Sequence, residues 1–217
     1  MSESLQTEQI ATWKGSFGKE YTERNTLSPA ELDASYLRWY GIARTELNRE
    51  FLSGIDSHAR ILEIGCNVGN QLLSLQEEGF RNLYGVEIQP YAVEAAKART
   101  RGINIIEGSI FDIPFKDGWF DLVFTSGVLI HIDPSRLPDA QREINRCAAR
   151  YVWGMEYFAP TVTEINYRGN ANLLWKANYA ERYCELFPTL KLQREKKIKY
   201  LDNENVDSMF LLARPTA

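Results

Sequence analysis

The chain predicts a doubly wound α/β fold, a mostly parallel seven-stranded sheet with helices on both faces and an antiparallel C-terminal hairpin. Three observations carry this expectation. Short apolar runs alternate with helix-period segments through the middle of the chain. The first of those runs ends at an acid and a glycine, and the last two are joined by a polar turn.

Residues 59–64, 82–87, 103–107 and 120–125 are the apolar runs, and 70–78, 91–101 and 138–148 carry helix-period apolar residues between them. Strand, crossover and strand repeated in this way give parallel strands buried on both faces, with ligands at their carboxyl ends. Residues 151–155 supply a fifth strand. An aromatic-rich irregular stretch follows, then a helix over about 176–186, then the runs KLQREKKIKYL and SMFLLA around a turn at 202–205. Upstream, one long amphipathic helix is expected over 27–52. It opens with Ser28 as N-cap, Pro29 at the first helical position and Glu31 at the third, a capping box. Before it, Trp13, Phe17 and Tyr21 recur every four residues on one face of a possible helix, which serves either core packing or a lid over a ligand. A single domain over 1–217 is the economical division, with 1–52 as an N-terminal helical lid and 53–217 as a core carrying a substrate loop at 156–175.

Composition narrows the function. The 217 residues are 44% hydrophobic, enough for one substantial core. The net charge of -4 provides no field to gather nucleic-acid phosphates, so no nucleic-acid partner is expected. Three unpaired-looking cysteines, Cys66, Cys147 and Cys184, and a polar N-terminus point to a reducing, cytoplasmic setting. No stretch approaches the roughly 20 apolar residues that span a bilayer, so no membrane partner is expected. The lysines of KLQREKKIKY guard an edge strand more naturally than they bind RNA.

The segment ILEIGCNVGN, residues 61–70, is the informative one. A dinucleotide fingerprint starting at Gly65 needs glycines where Asn67 and Asn70 stand, and a phosphate loop would need a Gly-Lys-Ser/Thr ending that is missing. What remains is Glu63 two residues before Gly65, with Gly69 four further on. That pattern lets backbone approach a small zwitterion while the acid faces a cation. Cys66 inside the turn is a small filler rather than a nucleophile.

ILEIGCNVGN resembles the first motif of the class I S-adenosylmethionine-dependent methyltransferases. LYGVEIQPYAVEAAK resembles their second motif, and EGSIFDIPFKDGWFDLVFTSGVLIHI the segment running from the adenine to the transferred methyl. The resemblance covers about residues 60–132 and implies a Rossmann-like methyltransferase fold. It implies S-adenosylmethionine as cofactor, S-adenosylhomocysteine as product and no metal. It places cofactor contacts at Glu63, Gly65, Asn67, Gly69, Glu87, Ile88, Ser109, Ile110 and Ser126, with Trp13 and Tyr21 from the lid; Glu87 would accept both ribose hydroxyls. Ser109 stands where many members have Asp, which leaves the adenine contact to Ser109 or to backbone at Ile110.

A narrower resemblance, carried by WKGSFGKEYTERN, GVLIHIDP and EYFAPTVTEINYRGNANLLWKANY, is to the methylases associated with pseudaminic acid biosynthesis. It implies methyl transfer to an oxygen or nitrogen of a small polar acceptor, a sugar or a nonulosonic-acid-type molecule.

Displacement at a sulfonium requires alignment of the acceptor and removal of its proton. His131, just past the fourth strand, is a base of suitable ordinary pKa or an orienting group. Glu156, after the fifth strand, is a second candidate base, with a salt bridge to Arg168 as its alternative. Tyr157, Tyr167, Arg168 and Lys176 form the expected acceptor wall, the guanidinium suiting a carboxylate or phosphate. Two other activities stay open beside the enzyme: a cofactor-binding sensor or partner subunit without turnover, and, more distantly, a nicotinamide-dependent reductase.

Overall fold

The computed structural model describes residues 8–167, 169 and 171–215 of the chain. Its N-terminal elements are α1 (Glu8–Lys14), α2 (Ser16–Arg24), α3 (Pro29–Tyr40) and α4 (Arg44–Leu52). The core runs β1 (Arg60–Ile64), α5 (Asn70–Glu77), β2 (Asn82–Glu87), α6 (Pro90–Arg99), β3 (Ile103–Glu107), β4 (Phe120–Ser126), α7 (Leu137–Cys147) and β5 (Ala148–Tyr157). After it come the short pair β6 (Thr163–Glu164) and β7 (Trp175–Lys176), α8 (Tyr179–Leu186), β8 (Lys191–Lys199) and β9 (Val206–Ala213).

Among the described residues, seven strands form one sheet in the order β3-β2-β1-β4-β5-β9-β8. The first five are parallel, and β9 and β8 join antiparallel beyond β5. The chain reverses its direction of travel across the sheet between β1 and β4, where open α/β sheets place their ligands. Each face of the sheet is covered. Leu62, Phe120, Val123 and Val152 pack under α7 and α8 through Ile144, Tyr179 and Tyr183. Ile61, Phe124 and Trp153 pack on the other face under α3 to α6 through Leu47, Phe51, Leu72 and Val93. The strands therefore read as unbroken apolar runs because both their faces are buried.

Three expectations needed correction. The long helix over 27–52 is two, because Gly41 takes a left-handed conformation (φ +73°) that caps α3 before α4 starts at Arg44. The Ser28 to Glu31 capping box is present as expected. The helix over 176–186 begins only at Tyr179, capped by the Asn178 side chain, because Trp175 and Lys176 pair with Thr163 and Glu164. The face bearing Trp13, Phe17 and Tyr21 is interrupted at Gly15, yet the rings still converge, with both Phe17 and Tyr21 centred 5.3 Å from Trp13.

The seam between parallel and antiparallel halves is tight. Gly154 on β5 lies opposite Phe210 on β9, and a Cβ there would fall 2.4 Å from the Phe210 ring. Overpacking a closed core costs about 1–3 kcal/mol. Gly154→Ala is therefore expected to lower stability by that amount in urea titration, and an unchanged midpoint would show that the seam can give.

Candidate functional site

The carboxyl ends of β1, β2, β4, β5 and the start of β9 open into a cavity of about 540 Å³, within the size range of small-molecule sites. The turn after β1 forms its floor. Gly65 has φ +71°, and a Cβ on it would meet Val128 at 2.6 Å, so only glycine fits. The Gly65 and Cys66 N–H groups donate to the Val86 carbonyl at 2.8 and 3.1 Å. Asn67 also sits left-handed (φ 46°), which asparagine tolerates. Cys66 is buried against Gly85, whose missing side chain leaves room for its sulfur, as a filler would be. Gly69 caps α5 at φ +79° and shapes the turn from behind rather than lining the cavity.

Glu87 organises the neighbouring turn. Its carboxylate accepts from the N–H groups of Asn67 at 2.8 Å, Ile88 at 2.7 Å and Gln89 at 2.8 Å. A carboxylate has about four acceptor positions, so about one remains for a ligand hydroxyl, fewer than the two expected from sequence. Gln89, which sequence reasoning missed, donates from Nε2 to the carbonyls of Trp13 at 3.0 Å and Gly15 at 2.9 Å. This bond ties the α1–α2 corner to the end of β2 and lays Trp13 and Tyr21 along the cavity.

Three buried acceptor oxygens, on side chains that line the cavity near this floor, have no hydrogen-bond partner among the described residues: Glu63 Oε2, Asn67 Oδ1 and Gln71 Oε1. The Trp13 indole N–H is an unpartnered donor on the same wall. Buried polar atoms are almost always satisfied, so this set is shaped for a ligand that donates several hydrogen bonds and accepts fewer. Burial holds the Glu63 carboxyl well above the usual carboxylate range, with Arg44 opposing and Glu87 reinforcing that shift. Ile88, Ser109, Ile110 and Ser126 also line the cavity. The Ser109 hydroxyl accepts from Phe111 N–H at 3.2 Å, leaving its proton free to serve another group.

His131 lies in a short 3-10 turn, Leu129–His131, packed between Trp13 (ring centres 4.6 Å apart) and Tyr167 (5.4 Å). Its Nδ1 is 2.7 Å from the Leu173 carbonyl, which fixes Nδ1 as the protonated nitrogen and leaves Nε2 with a free lone pair. Burial pushes the imidazole pKa down to about 4, so the ring is neutral in the ordinary pH range.

Glu156, the second candidate base, is buried near the end of β5. Its carboxylate accepts from Val128 N–H at 3.0 Å and from Ile130 N–H at 3.4 Å, and the Thr125 hydroxyl adds a further bond. It holds the loop that carries His131, and burial pushes its pKa up to about 7.

Tyr157 and Tyr167 line the cavity as expected. Lys176 does not; its ammonium bonds the Asn205 side chain beneath the Tyr157 ring. Arg168 lies outside the described residues. Tyr36, Tyr40, Tyr200 and Asp207 line the cavity without having been expected there, because their sequence neighbourhoods read only as helix and hairpin. Behind the wall, Arg44 is buried and donates to Tyr36 Oη at 2.9 Å and Ser126 Oγ at 3.3 Å.

Residues 62–151 match a family described as a methyltransferase domain. An uncharacterised methyltransferase of Staphylococcus carnosus is 34% identical over 93 residues, 42% of this chain and 44% of the relative. The 24-methylenesterol C-methyltransferase 2 of Oryza sativa is 29% identical over 93 residues, 40% of this chain and 25% of the relative. The chain thus spans a quarter to less than half of the length of these curated relatives. Over the whole fold it is similar to the magnesium protoporphyrin IX methyltransferase of Synechocystis solved with S-adenosylmethionine, at TM-score 0.69 and 12% identity, covering 97% of this chain and 99% of that one. The fold is the Rossmann-like fold of class I methyltransferases. Among the described residues no helix is long and apolar enough to cross a membrane, and no cluster of ligating side chains suits a metal.

The Glu156 carboxyl ordinarily titrates near 4.5 and does so here at about 7. Between those values the folded chain keeps a proton that the unfolded chain has lost, so this group's contribution is full below about 4.5 and declines as pH rises to about 7. Glu156→Gln removes the titration while keeping one acceptor oxygen. Denaturant titrations at pH 5 and 7.5 are expected to show a loss of stability larger in the wild type by about 2 kcal/mol. Parallel losses would mean that the carboxyl is not buried as described.

Proposed function

We propose that the protein is an S-adenosylmethionine-dependent methyltransferase acting on an oxygen or nitrogen of a small polar acceptor. The observation that carries this is the trio of unpartnered buried oxygens, Glu63 Oε2, Asn67 Oδ1 and Gln71 Oε1, beside a turn that only glycine can make at position 65. An amino-acid ammonium and ribose hydroxyls are the donors such oxygens lack, and the Trp13 indole N–H supplies a donor to a carboxylate. Glu63, Gly65, Asn67 and Gln71 would hold the amino-acid end of the cofactor, Glu87 a ribose hydroxyl, and Ser109 and Ile110 the adenine. Bound S-adenosylmethionine supplies an electrophilic methyl group.

The chain's own residues then align the acceptor and take its proton. His131 has the tautomer for the second task, because Leu173 holds Nδ1–H and Nε2 stays unprotonated, while burial, by lowering its pKa to about 4, makes it a weaker base than a free imidazole. Nε2 would take the proton of the acceptor O–H or N–H. Glu156 positions His131 by fixing the backbone from Val128 to Ile130. The α1–α2 corner acts as a lid that covers the imidazole with Trp13 and excludes water from the site. Tyr157 and Tyr167 offer ring faces to an acceptor of sugar or nonulosonic-acid type, the finer acceptor class we favour.

The test is methyl transfer from isotopically labelled S-adenosylmethionine into an extract with nucleotide sugars and free nonulosonic acids, with products identified by mass spectrometry. A labelled sugar supports the whole reading; label in another metabolite removes the sugar and keeps the reaction. Gly65→Asp is expected to abolish S-adenosylhomocysteine binding in calorimetry with the circular dichroism spectrum retained; binding at wild-type affinity would refute the cofactor assignment. Loss of a general base costs about 10²–10⁴-fold in rate. His131→Ala should therefore lower turnover by that order while cofactor affinity stays within a few fold, and an unchanged rate would remove His131 from the chemistry.

A further inference from the structure

Beyond β5 the cavity is lined by a group of side chains outside the cofactor contacts proposed above. Asp207, at the start of β9, pairs with Tyr157 across the β5–β9 ladder and is 5% exposed. Its Oδ2 accepts from the Tyr40 hydroxyl at 2.7 Å and sits 3.5 Å from that of Tyr200. Its Oδ1 has no hydrogen-bond partner among the described residues, although it belongs to a side chain that lines the cavity. Rings surround it. Tyr40 and Tyr200 are centred 4.6 Å apart, Tyr157 lies 6.0 Å from Tyr200, and Tyr36 lies 5.2 Å from Tyr40. All four also line the cavity.

We infer that this end of the cavity is a subsite for an alkylammonium group, and that the acceptor carries a protonated amine bound there between Asp207 and the tyrosine rings. The inference rests on the cavity being a methyl-transfer site and specifies what its acceptor must carry. A buried carboxylate is costly unless a charge and hydrogen bonds compensate it. The two phenols serve only Oδ2. The nearby cations are engaged elsewhere: Lys176 bonds Asn205, and Arg44 bonds Tyr36, Ser126 and Asn48. An ammonium gives Oδ1 both a donor and a charge, and tyrosine faces attract cations. A neutral hydroxyl gives the donor alone. Burial pushes the Asp207 pKa up to about 6, against the Tyr40 and Tyr200 hydroxyls and the more distant Lys176 and Arg44 charges, which lower it. An ammonium has no lone pair, so the group held here is an anchor and a different atom of the acceptor receives the methyl.

The experiment compares cyclohexylamine hydrochloride with cyclohexanol, equal in shape and different in charge, titrated into the full chain at pH 7.5. S-adenosylhomocysteine is present at saturation so that Glu63 is occupied, and binding is followed by protein-observed NMR. The amine is expected to bind about tenfold or more tighter than the alcohol, and Asp207→Asn to abolish that preference. Equal affinities in the wild type, or a preference that persists in Asp207→Asn, would overturn the inference. The wild-type comparison decides by itself if the variant fails to fold. A chain that does not bind S-adenosylhomocysteine refutes the methyl-transfer reading separately; the amine and alcohol titrations then run on the free protein, with Asp207→Asn deciding whether the preference belongs to this subsite.

Discussion

The Glu87 carboxylate is the constraint on which the rest of the site depends. A single buried side chain at the end of β2 satisfies three backbone N–H groups from two different turns, those of Asn67, Ile88 and Gln89. The first fixes the turn after β1, the other two the start of α6. Gln89, held in place by that arrangement, reaches the carbonyls of Trp13 and Gly15 and so sets where the N-terminal helices lie. Asn70 and Arg99 extend the same lock, bonding the backbone of Asn25 and Leu27 between α2 and α3. The floor and the roof of the cavity are thus positioned by one connected set of polar contacts.

Glu156 repeats this logic at the end of β5. It too is a buried carboxylate on a strand end, and it too spends its acceptor positions on backbone, fixing the Val128 to Ile130 loop. His131 inherits its position from that loop and its tautomer from Leu173. The parallel strands supply the reason: their carboxyl ends leave loops whose N–H groups lack ladder partners, and a carboxylate at the last strand position satisfies them.

What the sequence made legible follows from the range over which each interaction acts. The parallel core was readable because strands buried on both faces leave apolar runs, and the Gly65 turn because its backbone demands glycine at a fixed distance from Glu63. The break at Gly41 was hidden because the amphipathic pattern continues on both sides of it. Asp207, Tyr40 and Tyr200 come from α3 and the C-terminal hairpin, and only the sheet order, with β9 inserted beside β5, brings them together. No local spacing encodes such a meeting. Glu156 was found by position, but the sequence shows only that an acid stands at a strand end and not which backbone groups turn toward it.

The distribution of charge bears on the proposed chemistry. Four carboxyl groups, Glu63, Glu87, Glu156 and Asp207, are buried on the cavity wall, and burial raises the pKa of each. A wall of this kind favours cationic ligands, yet methyl transfer from a sulfonium destroys positive charge, so a strong negative potential at sulfur would hold the reactant back. The structure resolves that conflict by screening. Glu87 and Glu156 are each covered by backbone donors, and Glu63 faces the Arg44 charge from behind the wall. Asp207, with one bare oxygen, lies beyond β5 at the far end from the Gly65 turn, where a positive charge can anchor a ligand without opposing the loss of charge during transfer.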